Sequence, residues 1–253
     1  MLKVFITGAS SGIGWALAEY YARQGAQLGL AARRAEPLQR LSACWPGQVR
    51  CYSLDVTDAA SLRAAGADFI AARGVPDIVI ANAGVSVGTL SECAADLEVI
   101  RRIMDVNFFG MAATFSPFIG GMRQAGCGRL VGIASVAGIR GLPGAEAYSA
   151  SKAAVISYLE SLRVELRNAG VQVLTICPGY IRTPMTAANP FPMPFLMPAD
   201  EAARRFARAI ERGGSYTVIP WQMGLVTKVL RLLPNALYDR LFAAAPRKPR
   251  QAP

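Results

Sequence analysis

The chain has 253 residues, 53% hydrophobic and 17% charged, a composition that suits one compact α/β domain. It contains no histidine, which excludes an imidazole base, a Ser-His-Asp triad and a histidine-ligated zinc. The formal net charge is +10, and residues 221–253 carry six of the cations against one anion. Its five cysteines are scattered without metal-ligand spacing, so we expect reduced thiols, no metal site and a cytoplasmic protein. We also expect no signal peptide, because an apolar run begins at Leu2, and no membrane-spanning segment.

Strand-length apolar runs alternate with segments of helical period along most of the chain. This alternation predicts β-α-β units and an α/β fold with one doubly wound parallel sheet of about seven strands, flanked by helices. The predicted strands cover residues 3–6, 27–31, 50–54, 78–81, 129–134, 172–176 and 216–219. The predicted helices cover residues 12–24, 37–43, 59–73, 95–125, 147–169 and 199–212. We expect a catalytic domain over residues 1–220 and a helical extension with a basic tail over residues 221–253.

A glycine-rich loop follows the first predicted strand and runs into a helix, with the sequence Thr7-Gly8-Ala9-Ser10-Ser11-Gly12-Ile13-Gly14. Glycines let the backbone approach a pyrophosphate closely, and a helix N-terminus offers unpaired amides to phosphates. Taken alone, such a loop is only a tight turn, but its place at the start of the alternating pattern favours a Rossmann-type dinucleotide site. The expected cofactor contacts here are Gly8, Ser10, Ser11, Gly12, Ile13 and Gly14.

The end of the second predicted strand indicates which dinucleotide binds. Ala32 stands where an NAD site usually has an acidic residue, and Arg33 and Arg34 follow it. Without that carboxylate nothing repels a 2′-phosphate, and a guanidinium group can bind one through two parallel hydrogen bonds. The sequence therefore predicts NADP(H) in preference to NAD(H). The alternative is that both arginines are solvated surface charges.

Polar residues with acid-base chemistry come later in the chain. Tyr148 and Lys152 lie four residues apart in a segment of helical pattern, so they share a helix face. A neighbouring ammonium favours the phenolate, so we expect the pKa of Tyr148 to lie below its ordinary value of ~10. Ser135 follows a predicted strand, where its hydroxyl can polarise a carbonyl beside the tyrosine. Asn107 is polar within an apolar helical segment, where the alternative role is an amide bonded to the backbone.

Residues 2–220 resemble the short-chain dehydrogenase/reductase family, in its short single-domain branch. The resemblance rests on the glycine loop and on Asp55, Asn82-Ala83-Gly84, Asn107, Ser135, Tyr148, Lys152 and Pro178-Gly179-x3-Thr183. It implies a catalytic tetrad of Asn107, Ser135, Tyr148 and Lys152. In that tetrad Tyr148 is the acid and base, and Lys152 lowers its pKa and binds the nicotinamide ribose. Ser135 orients the carbonyl, and Asn107 holds a water in a proton relay.

The same resemblance supports a set of cofactor contacts beyond the glycine loop. Asp55 and Asn82 follow predicted strands at the ligand-binding edge of the sheet, although either residue alone would be read as a cap or a turn. The resemblance places Thr183 near the nicotinamide carboxamide. The further expected contacts are Arg33, Arg34, Asp55, Val56, Asn82, Ala83, Gly84, Tyr148, Lys152, Pro178, Gly179, Ile181 and Thr183.

The resulting hypothesis is an NADP(H)-dependent carbonyl reductase, or the reverse alcohol dehydrogenase, of a small molecule. Residues 184–198, where the family has a mobile lid, contain five prolines and no charge. The apolar side chains of this segment are Met185, Phe191, Met193, Phe195, Leu196 and Met197. They favour a lipophilic substrate, unless they only pack the lid or a subunit interface. The alternative function is a nonenzymatic NADP(H)-binding redox sensor.

Residues 221–253 depart from the short ending common in the family. One helix face carries Leu225, Val229, Leu232 and Leu233, with Lys228 and Arg231 beside it. Such a basic amphipathic surface packs on its own domain or on a dimer partner, or makes a peripheral contact with an anionic membrane. We expect a homo-oligomer, with a dimer favoured. We expect no nucleic-acid partner, because the cations do not interleave with aromatic residues.

Overall fold

The computed structural model describes residues 1–250, in which strands and helices alternate as the sequence pattern predicts. The strands are β1 (Lys3–Thr7), β2 (Gln27–Ala32), β3 (Val49–Ser53), β4 (Ile78–Ala81), β5 (Gly128–Ile133), β6 (Val171–Pro178), β7 (Ile181–Arg182), β8 (Met197–Pro198) and β9 (Tyr216–Ile219). The α-helices are α1 (Gly12–Arg23), α2 (Ala35–Cys44), α3 (Ala59–Arg73), α4 (Asp96–Met104), α5 (Gly110–Ala125), α6 (Glu146–Leu166), α7 (Pro184–Ala187), α8 (Ala199–Glu211), α9 (Trp221–Leu232) and α10 (Asn235–Phe242). Short 3₁₀-helices span Val136–Gly138 and Arg167–Ala169.

Seven strands form one parallel sheet in the order β3-β2-β1-β4-β5-β6-β9. The chain moves outward from β1 to β3, then returns to the other side of β1 with β4. Ligands of such sheets bind in the crevice that this reversal opens at the carboxyl ends of β1 and β4. The prediction of a Rossmann-type doubly wound sheet is confirmed. Strands β7 and β8 form a separate parallel pair.

Helices cover both faces of the sheet and bury its apolar strands. On one face, α1 and α8 contribute Leu17 and Phe206 to a core that includes the β1 and β2 side chains. On the other face, α3 and α5 contribute Phe69 and Phe115 to a second core. Because both faces are buried, the carboxyl edge of the sheet is where polar side chains from several strand ends can meet solvent and one another.

The long helix predicted over residues 95–125 differs from the structure near its middle. A π-helix at Asp105–Phe109 separates α4 from α5. It holds Asn107, whose Oδ1 accepts a hydrogen bond from the Val85 amide at 2.8 Å. The Asn107 Nδ2 donates to the Val85 carbonyl at 3.0 Å and to Ser151 Oγ at 2.9 Å. The wider helical turn thus coincides with a side chain that bonds outside its own helix.

The C-terminal helices pack on the same chain through one face. Met223 is buried against Gly179, where an added Cβ would lie 2.7 Å from the Met223 side chain. Arg140 donates to the Leu233 carbonyl at 2.8 Å, and its guanidinium lies 3.9 Å from the Tyr238 ring centre. These contacts attach α9 to the residue that follows β6, and both helices to the segment that follows β5.

The opposite face of these helices is exposed and apolar. The exposed side chains are Trp221, Leu225, Val226, Val229, Leu232, Leu237 and Leu241. For this face, a dimer partner and an anionic membrane both stay predictions. None of the helices within residues 1–250 combines the length and apolar character needed to cross a bilayer.

Candidate active site

A cavity of about 320 Å³ opens at the carboxyl edge of the sheet. Two residues of the predicted site, Gly14 and Asn107, do not line it. The predicted residues that line it are Gly8, Ser10, Ser11, Gly12, Ile13, Arg33, Arg34, Asp55, Val56, Asn82, Ala83, Gly84, Ser135, Tyr148, Lys152, Pro178, Gly179, Ile181 and Thr183. Sequence reasoning missed seven further residues that line it, namely Leu54, Val85, Val106, Ile133, Ala134, Pro184 and Thr186. These are apolar or capping residues without a distinctive motif.

The glycine loop is held by close backbone contacts that only glycine permits. Gly8 has a φ of +70°, and an added Cβ would lie 2.8 Å from the Ala83 Cα. Asn82 Nδ2 donates to the Thr7 carbonyl at 3.0 Å and to the Gly8 carbonyl at 3.3 Å. A Cβ at Gly14 would collide with the Gly8 carbonyl oxygen. Asn82 and Gly14 therefore fix the shape of the loop, in addition to the cavity contact made by Asn82.

We expect Gly14→Ala to destabilise the protein by about 1–3 kcal/mol and to weaken binding of NADPH, because the new methyl group displaces the glycine loop. Urea denaturation and fluorescence titration measure the two effects. Gly120→Ala is the matched control, since Gly120 lies exposed in α5 with open space around its Cβ position. That control should leave NADPH affinity unchanged and raise stability slightly. Equal stability of the Gly14 variant and the wild type would contradict this account of the loop.

The N-terminus of α1 has the properties of an anion site. Ser11 occupies the N-cap position, but its side chain makes no capping hydrogen bond, and the first turn carries no acidic residue. Gly12 has a φ of +58° and lies against Thr183, whose Cγ2 would be 3.1 Å from an added Cβ. The uncapped amides and the helix dipole therefore favour a phosphate group at this end of the cavity.

Two arginines follow β2 and flank the glycine loop. Arg34 Nη2 donates to the Ser10 side chain at 3.2 Å and to its carbonyl at 3.3 Å. Arg33 Nη1 lies 4.0 Å from Asp55 Oδ2, and both side chains are exposed enough for solvent to screen this pair. Asp55 also accepts hydrogen bonds from the Thr57 amide and hydroxyl, at 3.0 and 2.9 Å, so it forms a turn besides lining the cavity. Arg33 and Arg34 both line the cavity. The residue at the end of β2 is Ala32, so no carboxylate stands at that position.

The acid-base residues meet where α6 passes the end of β5. Lys152 Nζ lies 5.8 Å from the Tyr148 ring centre and donates to the Ile133 carbonyl at 2.8 Å. Gly138 lets the adjoining 3₁₀-helix approach α6 closely, since an added Cβ would lie 2.6 Å from the Lys152 backbone. Ser135 Oγ accepts a hydrogen bond from the Ala137 amide at 3.1 Å, which orients its side chain. Helix α6 and the end of β5 thus bring the three side chains to one part of the cavity.

The pKa of Tyr148 moves in the opposite direction from the expectation. Burial raises it above the ordinary tyrosine value, and the Ser135 hydroxyl offsets only part of that rise. Burial also lowers the pKa of Lys152 to about 8, so this lysine still carries most of its charge at neutral pH. The expected lowering is therefore wrong for this structure, because removing the phenolate from water outweighs the hydrogen bond from Ser135. The Tyr148 hydroxyl therefore keeps its proton at pH 7.

Asn107 supports the site from behind the cavity. It is buried and bonds to Val85 and Ser151, as described above, while Ser151 Oγ donates to the Tyr148 carbonyl at 2.8 Å. This chain of bonds ties the loop after β4 to the backbone of α6. Asn107 therefore has the alternative role that the sequence left open, because its side-chain amide bonds to the backbone of Val85. The sequence does not single out Ser151, because a serine within a helix carries no specific signal.

The lid segment contributes fewer apolar side chains to the cavity than its composition suggests. Of the six named in the sequence, Met185 lines the cavity. Met197 is buried in the core, and Phe191 packs on Tyr180 with ring centres 6.3 Å apart. Phe195 is exposed. Packing on the body of the domain therefore explains Met197 and Phe191, while Met185 lines the cavity.

Comparison with known proteins gives consistent matches. The family model described as short chain dehydrogenase matches residues 3–191. An uncharacterized oxidoreductase of Myxococcus xanthus is 44% identical over 239 residues, which cover 92% of this chain and 93% of that protein. The structure of a short chain dehydrogenase from Burkholderia cenocepacia in complex with NADP has a TM-score of 0.83 at 26% identity, covering 95% of this chain and 97% of the other.

A second solved structure is that of 3-ketoacyl-(acyl-carrier-protein) reductase from Brucella melitensis complexed with NADH. It has a TM-score of 0.78 at 25% identity and covers 86% of this chain and 96% of the other. The two solved structures share the fold of this chain. The family match spans the glycine loop, Ser135, Tyr148 and Lys152. The chain therefore belongs to the short-chain dehydrogenase/reductase family of oxidoreductases.

Proposed function

We propose that this protein uses NADP(H) to interconvert a carbonyl group and a secondary alcohol on a small, largely apolar molecule. The observation that carries the proposal is that Ser135, Tyr148 and Lys152 line the same cavity as the glycine loop. Membership of an oxidoreductase family supports the reaction class. The NADP complex of one relative and the NADH complex of another support a nicotinamide cofactor.

The residues around the cavity fit an NADP-type dinucleotide. The uncapped start of α1 suits the pyrophosphate, and the glycine loop leaves room for its close approach. Arg33 and Arg34 suit the 2′-phosphate, because two cations stand where no carboxylate would repel it. In this proposal Lys152 binds the nicotinamide ribose and Thr183 contacts the carboxamide.

The protein's own groups account for the proton side of the reaction. When bound, the reduced nicotinamide supplies a hydride to the carbonyl carbon. Tyr148 donates its hydroxyl proton to the carbonyl oxygen as negative charge develops there, and the Ser135 hydroxyl donates a hydrogen bond to the same oxygen. Because a phenol is more acidic than an alcohol, this proton transfer is downhill. The raised pKa of Tyr148 keeps the proton in place at neutral pH, which suits the direction of reduction.

The substrate end of the cavity is apolar beside these groups. Met185 lines it from the lid, and burying an apolar substrate against this side chain makes the free energy of binding more favourable. The proposal is tested by following NADPH absorbance with a panel of carbonyl compounds. Medium-chain ketones should react faster than pyruvate. Faster turnover of pyruvate would contradict the apolar substrate, and the absence of any carbonyl reduction would contradict the proposed reaction.

Arg33→Ala and Arg34→Ala should each raise the dissociation constant of NADPH about tenfold or more, since each removes a charge-assisted contact with a phosphate. The dissociation constant of NADH should change little, because it lacks the 2′-phosphate. Fluorescence titration with both nucleotides measures the difference. Arg40→Ala is the control, because Arg40 is exposed on α2 and pairs with Glu36. Equal weakening of NADH and NADPH would show that the arginines support the loop rather than select the cofactor.

A further inference from the structure

The C-terminal residues 247–250, which we call the C-terminal strap, return from α10 to the substrate side of the cavity. The Gly88 amide donates to the Pro249 carbonyl at 3.1 Å. Lys248 Nζ donates to Ser86 Oγ at 3.0 Å and to the Met185 carbonyl at 3.4 Å. One lysine thus bridges the loop that follows β4 and the lid.

Two glycines make room for the strap. A Cβ at Gly88 would collide with the Lys248 carbonyl, and a Cβ at Gly144 would lie 2.9 Å from the Arg247 side chain. These glycines belong to loops that are far apart in the sequence, yet both allow the same short segment to approach. The strap therefore lies in a groove that the catalytic domain forms for it.

An ion pair fastens the end of the strap. Arg250 makes two hydrogen bonds of 2.9 Å to the Asp96 carboxylate. Asp96 is only 3% exposed and also accepts the Leu90 amide at 2.7 Å. The Arg250 guanidinium, followed by the Leu90 amide, holds the pKa of Asp96 below its ordinary value. A buried carboxylate needs such a cation, so this pair gives the strap a defined position.

The strap reaches the opening that leads to the acid-base residues. Met185, which Lys248 contacts, lines the cavity, and so does Val85, the neighbour of Ser86. An added Cβ at Gly84 would lie 3.6 Å from Lys152 Nζ, so the loop that carries Ser86 begins beside the catalytic lysine. Lys248 does not itself line the cavity, but its ammonium bonds to Met185, which lines it, and to Ser86, which adjoins the cavity-lining Val85.

The Lys248 charge is not matched by an acid. Within residues 1–250, no carboxylate lies within ion-pair distance of its ammonium, which has one donor beyond the two bonds described. Partial burial lowers its pKa, as expected for a cation without a counter-ion. Among the residues that line the cavity, Asp55 is the one carboxylate, and it lies beside Arg33.

We propose that Lys248 is a specificity-determining residue that binds a carboxylate on the substrate, at the far end of an apolar body from the reacting carbonyl. The inference rests on the proposed carbonyl reduction and narrows its substrate to an amphipathic keto acid or hydroxy acid. The apolar body lies against Met185, and the carboxylate supplies the missing counter-ion. A small keto acid is too short to place its carbonyl at the acid-base residues and its carboxylate at Lys248 at the same time.

The test compares a medium-chain keto acid, whose ketone and carboxylate lie at opposite ends, with its methyl ester. kcat/KM is measured for the wild type, Lys248→Met and Lys248→Arg. Lys228→Met is the matched control, because it removes the same charge from an exposed position on α9. We expect Lys248→Met to lose about tenfold or more in kcat/KM for the acid and little for the ester. Lys248→Arg should keep the preference for the acid, and Lys228→Met should behave as the wild type.

An equal loss for acid and ester in Lys248→Met, or no loss for either, would overturn the proposal while leaving the carbonyl reductase intact. If neither compound is reduced by the wild type, the proposed function fails instead. Calorimetric titration of the keto acid into the protein with NADP⁺ then tests Lys248 without turnover. Tighter binding to the wild type than to Lys248→Met supports the anion contact, and equal binding overturns it.

Discussion

Tyr148→Phe should lower kcat for carbonyl reduction by about two to four orders of magnitude, the usual contribution of a positioned general acid. The substitution removes one hydroxyl and keeps the ring, so α6 should retain its packing. The dissociation constant of NADPH should change little, because the loop amides and arginines that suit its phosphates are untouched. Steady-state kinetics and fluorescence titration measure the two quantities.

Tyr158→Phe is the matched control for this substitution. Tyr158 lies on the same helix, packs against Phe108 with ring centres 5.8 Å apart, and does not line the cavity. Its variant should keep wild-type turnover. If Tyr148→Phe also keeps wild-type turnover, the acid role is wrong and the redox-sensor alternative gains support, since a sensor needs no proton donor.

Lys152→Met should reduce turnover by about a hundredfold or more and, unusually for an active-site change, stabilise the protein. Burial lowers the pKa of Lys152 from 10.5 to about 8. At about 1.4 kcal/mol per pH unit, holding this lysine charged in the fold costs about 3 kcal/mol at neutral pH. Methionine fills a similar volume without a charge, so the free energy of unfolding without cofactor should rise by a part of that amount.

The stability difference should depend on pH in a defined direction. Between pH 8 and 10.5 the unfolded wild type holds a proton on Lys152 that the folded protein has released, so wild-type stability rises with pH. The advantage of Lys152→Met should therefore be complete below pH 8 and disappear towards pH 10.5. Urea denaturation across this range measures it, with the exposed Lys228→Met as control. A constant advantage at all pH values would show that packing, not charge, is responsible.

The features that the sequence predicted well are those set by local patterns. The alternation of apolar runs was sufficient for the seven-stranded sheet, because each strand and helix buries its own apolar face. The glycine loop was also recognisable, because its chemistry is contained in consecutive residues. The structure places Tyr148, Lys152 and Ser135 at one cavity, while their catalytic roles stay a prediction.

The features that the sequence did not reveal depend on distant contacts. The π-helix at Asp105–Phe109 accompanies bonds from Asn107 to Val85 and Ser151, which no periodicity in residues 95–125 shows. The direction of the Tyr148 pKa shift depends on burial, which spacing along a helix does not give. The Arg250–Asp96 pair joins residues separated by most of the chain, so the composition of the basic tail gave no hint of it.

The position of the C-terminal strap has a practical consequence for handling the protein. Because the candidate active site lies at the carboxyl edge of the sheet and Lys3 begins β1 at the opposite edge, a purification tag at the amino end is joined to the chain far from the cavity. A tag at the carboxyl end is joined to the chain three residues after Arg250 in the sequence, and it can pull the strap out of its groove. Kinetic constants from the two kinds of fusion protein should therefore not be pooled.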